Sequence, residues 1–217
     1  QRSRGLGDVY KRQTLFQRSV GESSDIIQKE VYEFEDRNGE ILCLRPEGTA
    51  GLVRALITNG LMNDEIKKFF YLGPMFRYER PQKGRKRQFF QAGAELIGEE
   101  STKSDVEIIL LAKTILEKLN VKYTLEINYL GKEDSLNSYR SYLRKYLQNF
   151  KDELSEKVYS RLQRNPIRAI DSKDSSIQEI FKKASDISDF LKKEEKESFE
   201  RTIKSLKDLK INFNLNK

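Results

Sequence analysis

Residues 69–98 constrain the fold more than any other stretch, because their pattern is typical of two strands joined by a strongly basic loop. Residues 69–78 are rich in aromatic side chains, and residues 89–97 alternate large and small side chains, as a packed strand does. Between them, Pro81 and Gly84 favour a turn within a run of arginines and lysines. Guanidinium groups bind phosphate oxygens through paired hydrogen bonds, so the hairpin suits a polyphosphate ligand. Composition alone leaves a second interpretation open, an ordinary solvated basic turn.

Three stretches, in order along the chain, resemble one family. Residues 73–89 are similar to motif 2 of class II aminoacyl-tRNA synthetases, which has Phe-Arg-x-Glu, a loop, and then Arg and an aromatic residue. Residues 44–49 (Leu-Arg-Pro-Glu-Gly-Thr) resemble the histidine-site motif of the histidyl-tRNA synthetase family, and residues 161–173 resemble another stretch particular to it. The chain therefore resembles a fragment of the catalytic domain of that family.

The resemblance implies an α+β fold: a class II synthetase-type antiparallel sheet flanked by helices, incomplete, with a C-terminal helical extension. Residues 1–13 do not match the family and are interpreted as a non-native or disordered tail, with an ordinary mobile terminus as the alternative. Residues 14–130 are expected to form a partial catalytic core with the end of motif 1 and motif 2. Residues 131–217 are expected to be mostly helical and to lead into an insertion region. Because the family's later motifs are not found, we expect a truncated piece that is inactive in isolation.

Local patterns predict the individual elements. Asn38-Gly39 favours a hairpin turn between strands at residues 31–34 and 41–44. Thr49 is predicted to cap a helix that ends at Gly60. Ser101 or Ser104 is predicted to cap a helix over residues 101–120. This helix carries an apolar stripe, interpreted as core, at Ile108, Leu111, Ile115 and Leu119. A strand is predicted over residues 121–130, and helices over residues 139–150, 152–164, 177–191 and 199–209.

The resemblance also implies roles for side chains around the hairpin. By motif position, Arg77 would bridge the α-phosphate of ATP and the carboxylate of histidine, and it is the expected catalytic residue. Glu79 would accept a hydrogen bond from the adenine amino group, Arg85 would bind the terminal phosphates, and Phe89 would stack on adenine. In-line attack on the α-phosphate needs positioning and charge neutralisation rather than a side-chain nucleophile.

The same resemblance implies a histidine pocket made of Glu47, Gly48, Thr49, Arg77, Gln91 and Glu95. Without it, Glu47 would be interpreted as an acidic residue favoured near a helix N-terminus. ATP with Mg²⁺, histidine and histidine tRNA are the implied partners, no prosthetic group is expected, and the full-length protein is expected to be a homodimer.

Composition excludes several classes of function. The 217 residues contain no histidine, which eliminates His-based acid–base catalysis, Ser-His triads and most zinc sites, and no metal site is expected. The single cysteine, Cys43, lies in an apolar stretch and is predicted to be a core residue rather than a nucleophile. No apolar run reaches the roughly 18–20 residues of a membrane span, so no membrane partner is expected. A single cysteine excludes an internal disulfide and fits a reducing cytosol, so we expect a cytoplasmic protein. The net charge of +7 permits contact with nucleic acid, although a solvated lysine-rich surface can also be basic.

Other functions remain as alternatives. One alternative is a non-catalytic relative with the same fold, the regulatory subunit of ATP phosphoribosyltransferase. The presence of Arg77, Glu79 and Arg85 weighs against it, because a regulatory relative has less need of residues that contact ATP. Another class IIa synthetase would not account for residues 165–173, and a plain nucleic-acid-binding module would explain the charge but not the motifs. Phe90 stands where the family usually has histidine, which puts the packing beside the pocket in doubt.

Overall fold

The computed structural model describes residues 9–20, 30–62, 67–80, 82–98, 101–170, 172 and 174–216. The chain divides into two units, residues 1–100 and 101–217. Their helices and largely antiparallel strands confirm the α+β class. The boundary lies at Glu100, whereas the shift in composition suggested one after Leu130; the division into family segments stays a prediction.

The first unit contains a three-stranded antiparallel sheet made of β1 (Tyr10–Arg12), β2 (Glu33–Glu35) and β3 (Ile41–Leu44). β3 is the central strand, and the turn between β2 and β3 places Gly39 at φ 77°, which confirms the predicted hairpin. β1 belongs to the segment predicted to be a tail, yet residues 10–12 pair with β3. Residues 1–8 lie outside the described residues, and the foreign origin of the segment stays a prediction.

Two helices accompany this sheet, α1 (Gln13–Val20) and α2 (Thr49–Thr58). Phe16 of α1 and Ala50 of α2 form a small buried core with Cys43 of β3. Burial raises the pKa of the Cys43 thiol to about 12, with a smaller contribution from the Glu33 carboxylate. Cys43 is therefore a core residue, as predicted.

A long antiparallel hairpin of β4 (Lys67–Phe76) and β5 (Gln88–Ile97) completes the first unit. Its bounds agree with the two predicted strands, and the connecting loop turns at Gly84, whose φ is 84°. Pro81, the other predicted turn former, lies outside the described residues. Because side chains alternate along a strand, one face of the hairpin carries exposed Phe70, Leu72 and Phe90. The opposite face carries the side chains of the candidate site.

The second unit is built on α3 (Thr102–Lys118), β6 (Glu126–Ile127), α7 (Lys193–Asp208) and β7 (Asn214–Leu215). β6 and β7 are parallel, and Val106, Ile127, Leu206 and Ile211 form the core between these elements. Ser101 caps α3 by accepting a hydrogen bond from the Ser104 N–H group, as predicted.

The intervening helical segment contains α4 (Glu133–Gln148), α5 (Glu156–Arg164), α6 (Ser175–Phe181) and 3-10 turns at Lys151–Glu153, Pro166–Ala169 and Ile187–Phe190. It has its own core, to which Leu143, Leu147, Leu162 and Ile177 contribute nearly inaccessible side chains. No helix within the described ranges is both long enough and apolar enough to span a membrane.

Three predictions about the extent or packing of individual elements are wrong. The stripe of α3 assigned to the core is exposed, because Val106, Ile109 and Leu110 pack against the core from another side of the helix. The strand predicted over residues 121–130 is confined to β6. The helix predicted over residues 177–191 breaks after Phe181, and Asp186 caps a separate 3-10 turn through the Ser188 N–H group.

Candidate active site

The turn between β3 and α2 is held by the carboxylate of Glu47. This carboxylate accepts hydrogen bonds from the backbone N–H groups of Thr49, at 2.5 Å, and Ala50, at 3.0 Å. It therefore satisfies two of the N–H groups that a helix start leaves without intrahelical partners. The prediction that Thr49 caps α2 is wrong: the N-cap is Gly48, which makes no side-chain cap. The Thr49 hydroxyl is left to bond elsewhere.

The hydroxyl of Thr49 connects this turn to the hairpin. It donates to Oε1 of Glu95 on β5 at 2.7 Å, although the two residues are 46 positions apart in sequence. Phe89, Gln91 and Glu95 occupy alternate positions of β5, so their side chains lie on the same face of the sheet. The structure thus brings together Glu47, Thr49 and Glu95, and it places Gln91 on the same face.

Gln91 presents a buried acceptor. Its Oε1 atom is buried and makes no hydrogen bond to the described part of the chain. A buried amide oxygen without a partner costs free energy, roughly 1–3 kcal/mol by comparison with mutational data. A ligand N–H group is one partner that would satisfy it.

Arg77 follows the end of β4 and lies beside Phe89. Its guanidinium carbon is 5.1 Å from the centroid of the Phe89 ring, and its Nε donates to the Pro46 carbonyl at 3.0 Å. These two contacts orient the side chain and employ Nε, so the N–H groups on Nη1 and Nη2 remain for an anionic ligand. The Pro46 bond also ties Arg77 to the turn that carries Glu47.

Beyond Arg77, the basic loop carries an ion pair between Arg85 and Glu79, with 3.2 Å between Nη1 and Oε2. The Glu79 side chain is 14% exposed and that of Arg85 is 60% exposed. Arg87 supports the base of the loop, since its Nε donates to the Glu79 carbonyl and its guanidinium lies 4.7 Å from the Tyr78 ring centroid. Sequence patterns did not single out Arg87.

Tyr71 is a further site residue that sequence reasoning missed. Its ring lies opposite Gly93 across the hairpin and against Gly48 in the turn, and its hydroxyl is 3.3 Å from Oγ1 of Thr49. The alternation of side chains along β4 and β5 is the sequence signal that could have identified Tyr71. On the face that carries the site, a tyrosine paired with a glycine can lay its ring across that glycine. Phe90, by contrast, is 74% exposed on the opposite face, so its departure from the family pattern does not alter the face that carries Gln91.

The arrangement combines hydrogen-bond acceptors at one end with cations at the other. The carboxylates of Glu47 and Glu95 and the amide oxygen of Gln91 suit a ligand's ammonium or other N–H group. Arg77 suits a carboxylate or phosphate. Such a site can bind an amino acid next to a nucleotide, and none of these side chains is an activated nucleophile.

Comparisons with known proteins agree with this chemistry. A family model described as histidyl-tRNA synthetase matches residues 13–211. The chain is 52% identical over 186 residues to the histidine–tRNA ligase of Campylobacter concisus, covering 85% of this chain and 46% of the relative. It is 43% identical over 210 residues to that of Acaryochloris marina, covering 96% of this chain and 49% of the relative.

Solved structures give the same result. Apo S. aureus histidyl-tRNA synthetase superposes with a TM-score of 0.72 at 30% identity, covering 96% of this chain and 47% of that one. A Bacillus halodurans protein titled ATP phosphoribosyltransferase regulatory subunit/histidyl-tRNA synthetase gives a TM-score of 0.54 at 19% identity, covering 92% of this chain and 53% of that one, which shows a shared fold alone. The chain spans about half the length of the curated relatives it matches. With a family model covering nearly all of its residues, the chain belongs to the histidyl-tRNA synthetase family.

Proposed function

We propose that the candidate site binds histidine and ATP and forms histidyl-adenylate, as part of an ATP-dependent histidine–tRNA ligase. The observation that carries the proposal is the junction of the β3–α2 turn with β5, where the Thr49 hydroxyl bonds to Glu95. The buried acceptor of Gln91 lies on the same face of β5. These acceptors suit the ammonium and imidazole groups of histidine, and the bond from Arg77 to the Pro46 carbonyl ties a cation to the same turn.

Histidine is assigned to the turn side of the site. Glu47, Gly48, Thr49, Gln91 and Glu95 are proposed to bind its ammonium and imidazole groups, and Arg77 its carboxylate. A site that pairs with both ring nitrogens rejects apolar analogues, because its own polar groups would otherwise be buried without partners. The unpaired Oε1 of Gln91 supports this assignment, since a bound N–H group would supply its partner.

ATP is assigned to the hairpin side. Phe89 is proposed to stack on adenine, Glu79 to accept from the adenine amino group, and Arg85 to bind the terminal phosphates. Arg77 is proposed to be the catalytic residue, because a cation shared by the histidine carboxylate and the α-phosphate brings the reacting oxygen and phosphorus together and neutralises developing charge. The contacts of Arg77 with Phe89 and Pro46 support this role by limiting where its guanidinium can lie.

Substrates and setting follow from the same proposal. Mg²⁺ would accompany ATP as its counter-ion, and the histidyl group would pass to the terminal ribose of histidine tRNA. A homodimer and a cytoplasmic location are proposed for the full-length protein. Family membership supports these assignments, and they are proposals for the whole protein rather than for this chain alone.

Histidine-dependent exchange of pyrophosphate into ATP tests the proposal in a full-length version of the protein. Arg77→Ala should abolish exchange, while Lys83→Ala, an exposed cation of the same loop, should leave it largely intact. Circular dichroism of both variants should match the parent. Near-normal exchange in Arg77→Ala would refute the role of Arg77, and histidine binding without any exchange in the parent would favour a regulatory relative.

A further inference from the structure

Tyr71 occupies a position that the two neighbouring glycines keep open. A Cβ atom built at Gly93 would lie 2.1 Å from Cζ of the Tyr71 ring, and one built at Gly48 would lie 2.3 Å from its Cε2. Real Cβ atoms do not approach other atoms this closely. The ring therefore lies directly against the backbone of both the β3–α2 turn and β5, and it requires glycine at each place.

The hydroxyl groups beside this ring form a chain with a defined direction. A threonine hydroxyl has a single proton to donate, and Thr49 donates it to Oε1 of Glu95 at 2.7 Å. In the 3.3 Å contact between Thr49 and Tyr71, the tyrosine hydroxyl must then be the donor. Tyr71 therefore donates to Thr49, and Thr49 donates to Oε1 of Glu95. Within the described part of the chain, Oε2 of Glu95 has no hydrogen bond and can meet a ligand.

We propose that Tyr71 is a positioning residue of the histidine pocket, an inference that rests on the proposed function. By donating to Thr49, it fixes the Thr49 proton on Oε1 of Glu95 and so directs the other carboxylate oxygen to the N–H group of the ligand. Without the Tyr71 hydroxyl, Thr49 can rotate, and the Glu95 carboxylate loses its fixed orientation. The ring meanwhile covers the bare backbone at Gly93 and forms a wall of the pocket.

Calorimetric titration of the full-length protein with histidine and, separately, with ATP tests the inference. Tyr71→Phe keeps the ring and removes one hydrogen bond, so the dissociation constant for histidine should rise about 3–10-fold. The dissociation constant for ATP should not change, because the contacts described for Arg77, Phe89, Glu79 and Arg85 do not involve Tyr71. Tyr123→Phe, a partly exposed tyrosine of the second unit, is the control and should change neither constant.

A double-mutant cycle with Thr49→Val separates a hydrogen-bonded chain from a general packing effect. If Tyr71 acts through Thr49, Tyr71→Phe should cause no further loss in the Thr49→Val background, whereas in the Thr49→Ser background its effect should persist. Gly93→Ala should weaken histidine binding by displacing the ring. Gly51→Ala, where an added Cβ has no heavy atom within 4 Å, should not.

The possible outcomes separate this inference from the proposed function. Histidine binding by the parent that is unchanged in Tyr71→Phe, or equal losses for histidine and ATP, would overturn the role of Tyr71 and leave the proposed function standing. A full-length parent protein that binds ATP but shows no saturable histidine binding would overturn the proposed function of the pocket, and with it the inference.

Discussion

Arg85 and Glu79, the two side chains assigned to opposite ends of ATP, bind each other across the hairpin loop, with Nη1 of Arg85 3.2 Å from Oε2 of Glu79. Binding adenine at Glu79 and the terminal phosphates at Arg85 would give each member of this pair a new partner. The Arg85 side chain is 60% exposed, whereas that of Glu79 is only 14% exposed, so the contact is screened by solvent chiefly at its Arg85 end. Nucleotide binding would exchange this contact for bonds from Arg85 to phosphate and from adenine to Glu79.

Arg85→Ala should weaken ATP much more than AMP. The variant loses charge-assisted hydrogen bonds to the terminal phosphates, which AMP does not have, and we expect about a 10-fold rise in the dissociation constant for ATP. Calorimetric titration with both nucleotides measures the difference, and Lys86→Ala serves as a neighbouring exposed cation. Equal losses for ATP and AMP would assign Arg85 to the adenine end of the site instead.

Cys43 should be unreactive in the folded protein. Burial raises its pKa to about 12, and the thiolate is the reactive form of cysteine, so access and ionisation both oppose modification. An aromatic disulfide reagent at pH 8 should label the chain slowly in buffer and rapidly in concentrated urea. Fast labelling in buffer, with circular dichroism unchanged, would show that the small core of Phe16, Cys43 and Ala50 opens readily.

Sequence patterns predicted the features that depend on neighbouring residues. The β4–β5 hairpin, the turn at Asn38-Gly39 and the Ser101 cap each follow from local chemistry, namely strand alternation, a positive φ and a side-chain acceptor. Resemblance then supplied the site residues, and the structure places Glu47, Thr49 and Glu95 together. The alternation along β5 predicts on which face of the sheet each side chain lies, but not which residue that side chain contacts.

The remaining features depend on contacts between distant parts of the chain. The apolar positions of α3 offer more than one side for packing, and the helical period does not reveal that the side bearing Val106 meets the core. The role of Tyr71 depends on a glycine 22 residues later and on a turn 23 residues earlier, so neither segment alone indicates it. Likewise, Thr49 does not cap α2 because Glu47 already binds the first N–H groups.

Replacing Phe90 with histidine, the residue usual in the family, should leave histidine binding unchanged. The Phe90 side chain is 74% exposed on the face opposite Gln91, beside Phe70 at 82% and Leu72 at 71%. Such a contiguous apolar surface promotes self-association. Phe90→His should therefore weaken self-association, so that the chain stays monomeric up to a higher concentration. Light scattering and histidine titration test the two expectations, and a clear change in histidine affinity would show that the two faces of β5 are coupled.

Glu195 joins both ends of the helical segment that lies between β6 and α7. Its buried carboxylate accepts hydrogen bonds from the Lys132 N–H group where the segment begins and from the Lys192 N–H group where it ends. It also accepts from the Ser135 hydroxyl, at 2.6 Å. Gly131 makes room for this contact, since an added Cβ would lie 2.5 Å from Leu191. One carboxylate thus holds the N-termini of α4 and α7 together.

The hydrogen bonds of Glu195 should make the stability of the second unit depend on acidity. Burial raises the pKa of this carboxyl, but the bonds from Ser135, Lys132 and Lys192 lower it by more, so the net pKa is below its ordinary value of 4.5. The stabilisation is therefore complete above pH 4.5 and is lost as the pH falls through the lower pKa of the folded protein.

Glu195→Ala removes the acceptor from three donors at a buried position, and we expect a loss of about 1–3 kcal/mol in the free energy of unfolding at pH 7. Urea denaturation at pH 7 and at pH 3, followed by circular dichroism, measures the loss. The difference between parent and variant should shrink at pH 3, because below pH 4.5 the Glu195 carboxyl binds a proton more readily in the unfolded parent than in the folded one. Glu194→Ala is the matched control, since that neighbour in the same turn of α7 is exposed and should show little loss at either pH. A difference that is the same at both values of pH would show that Glu195 stabilises through packing rather than through its charge.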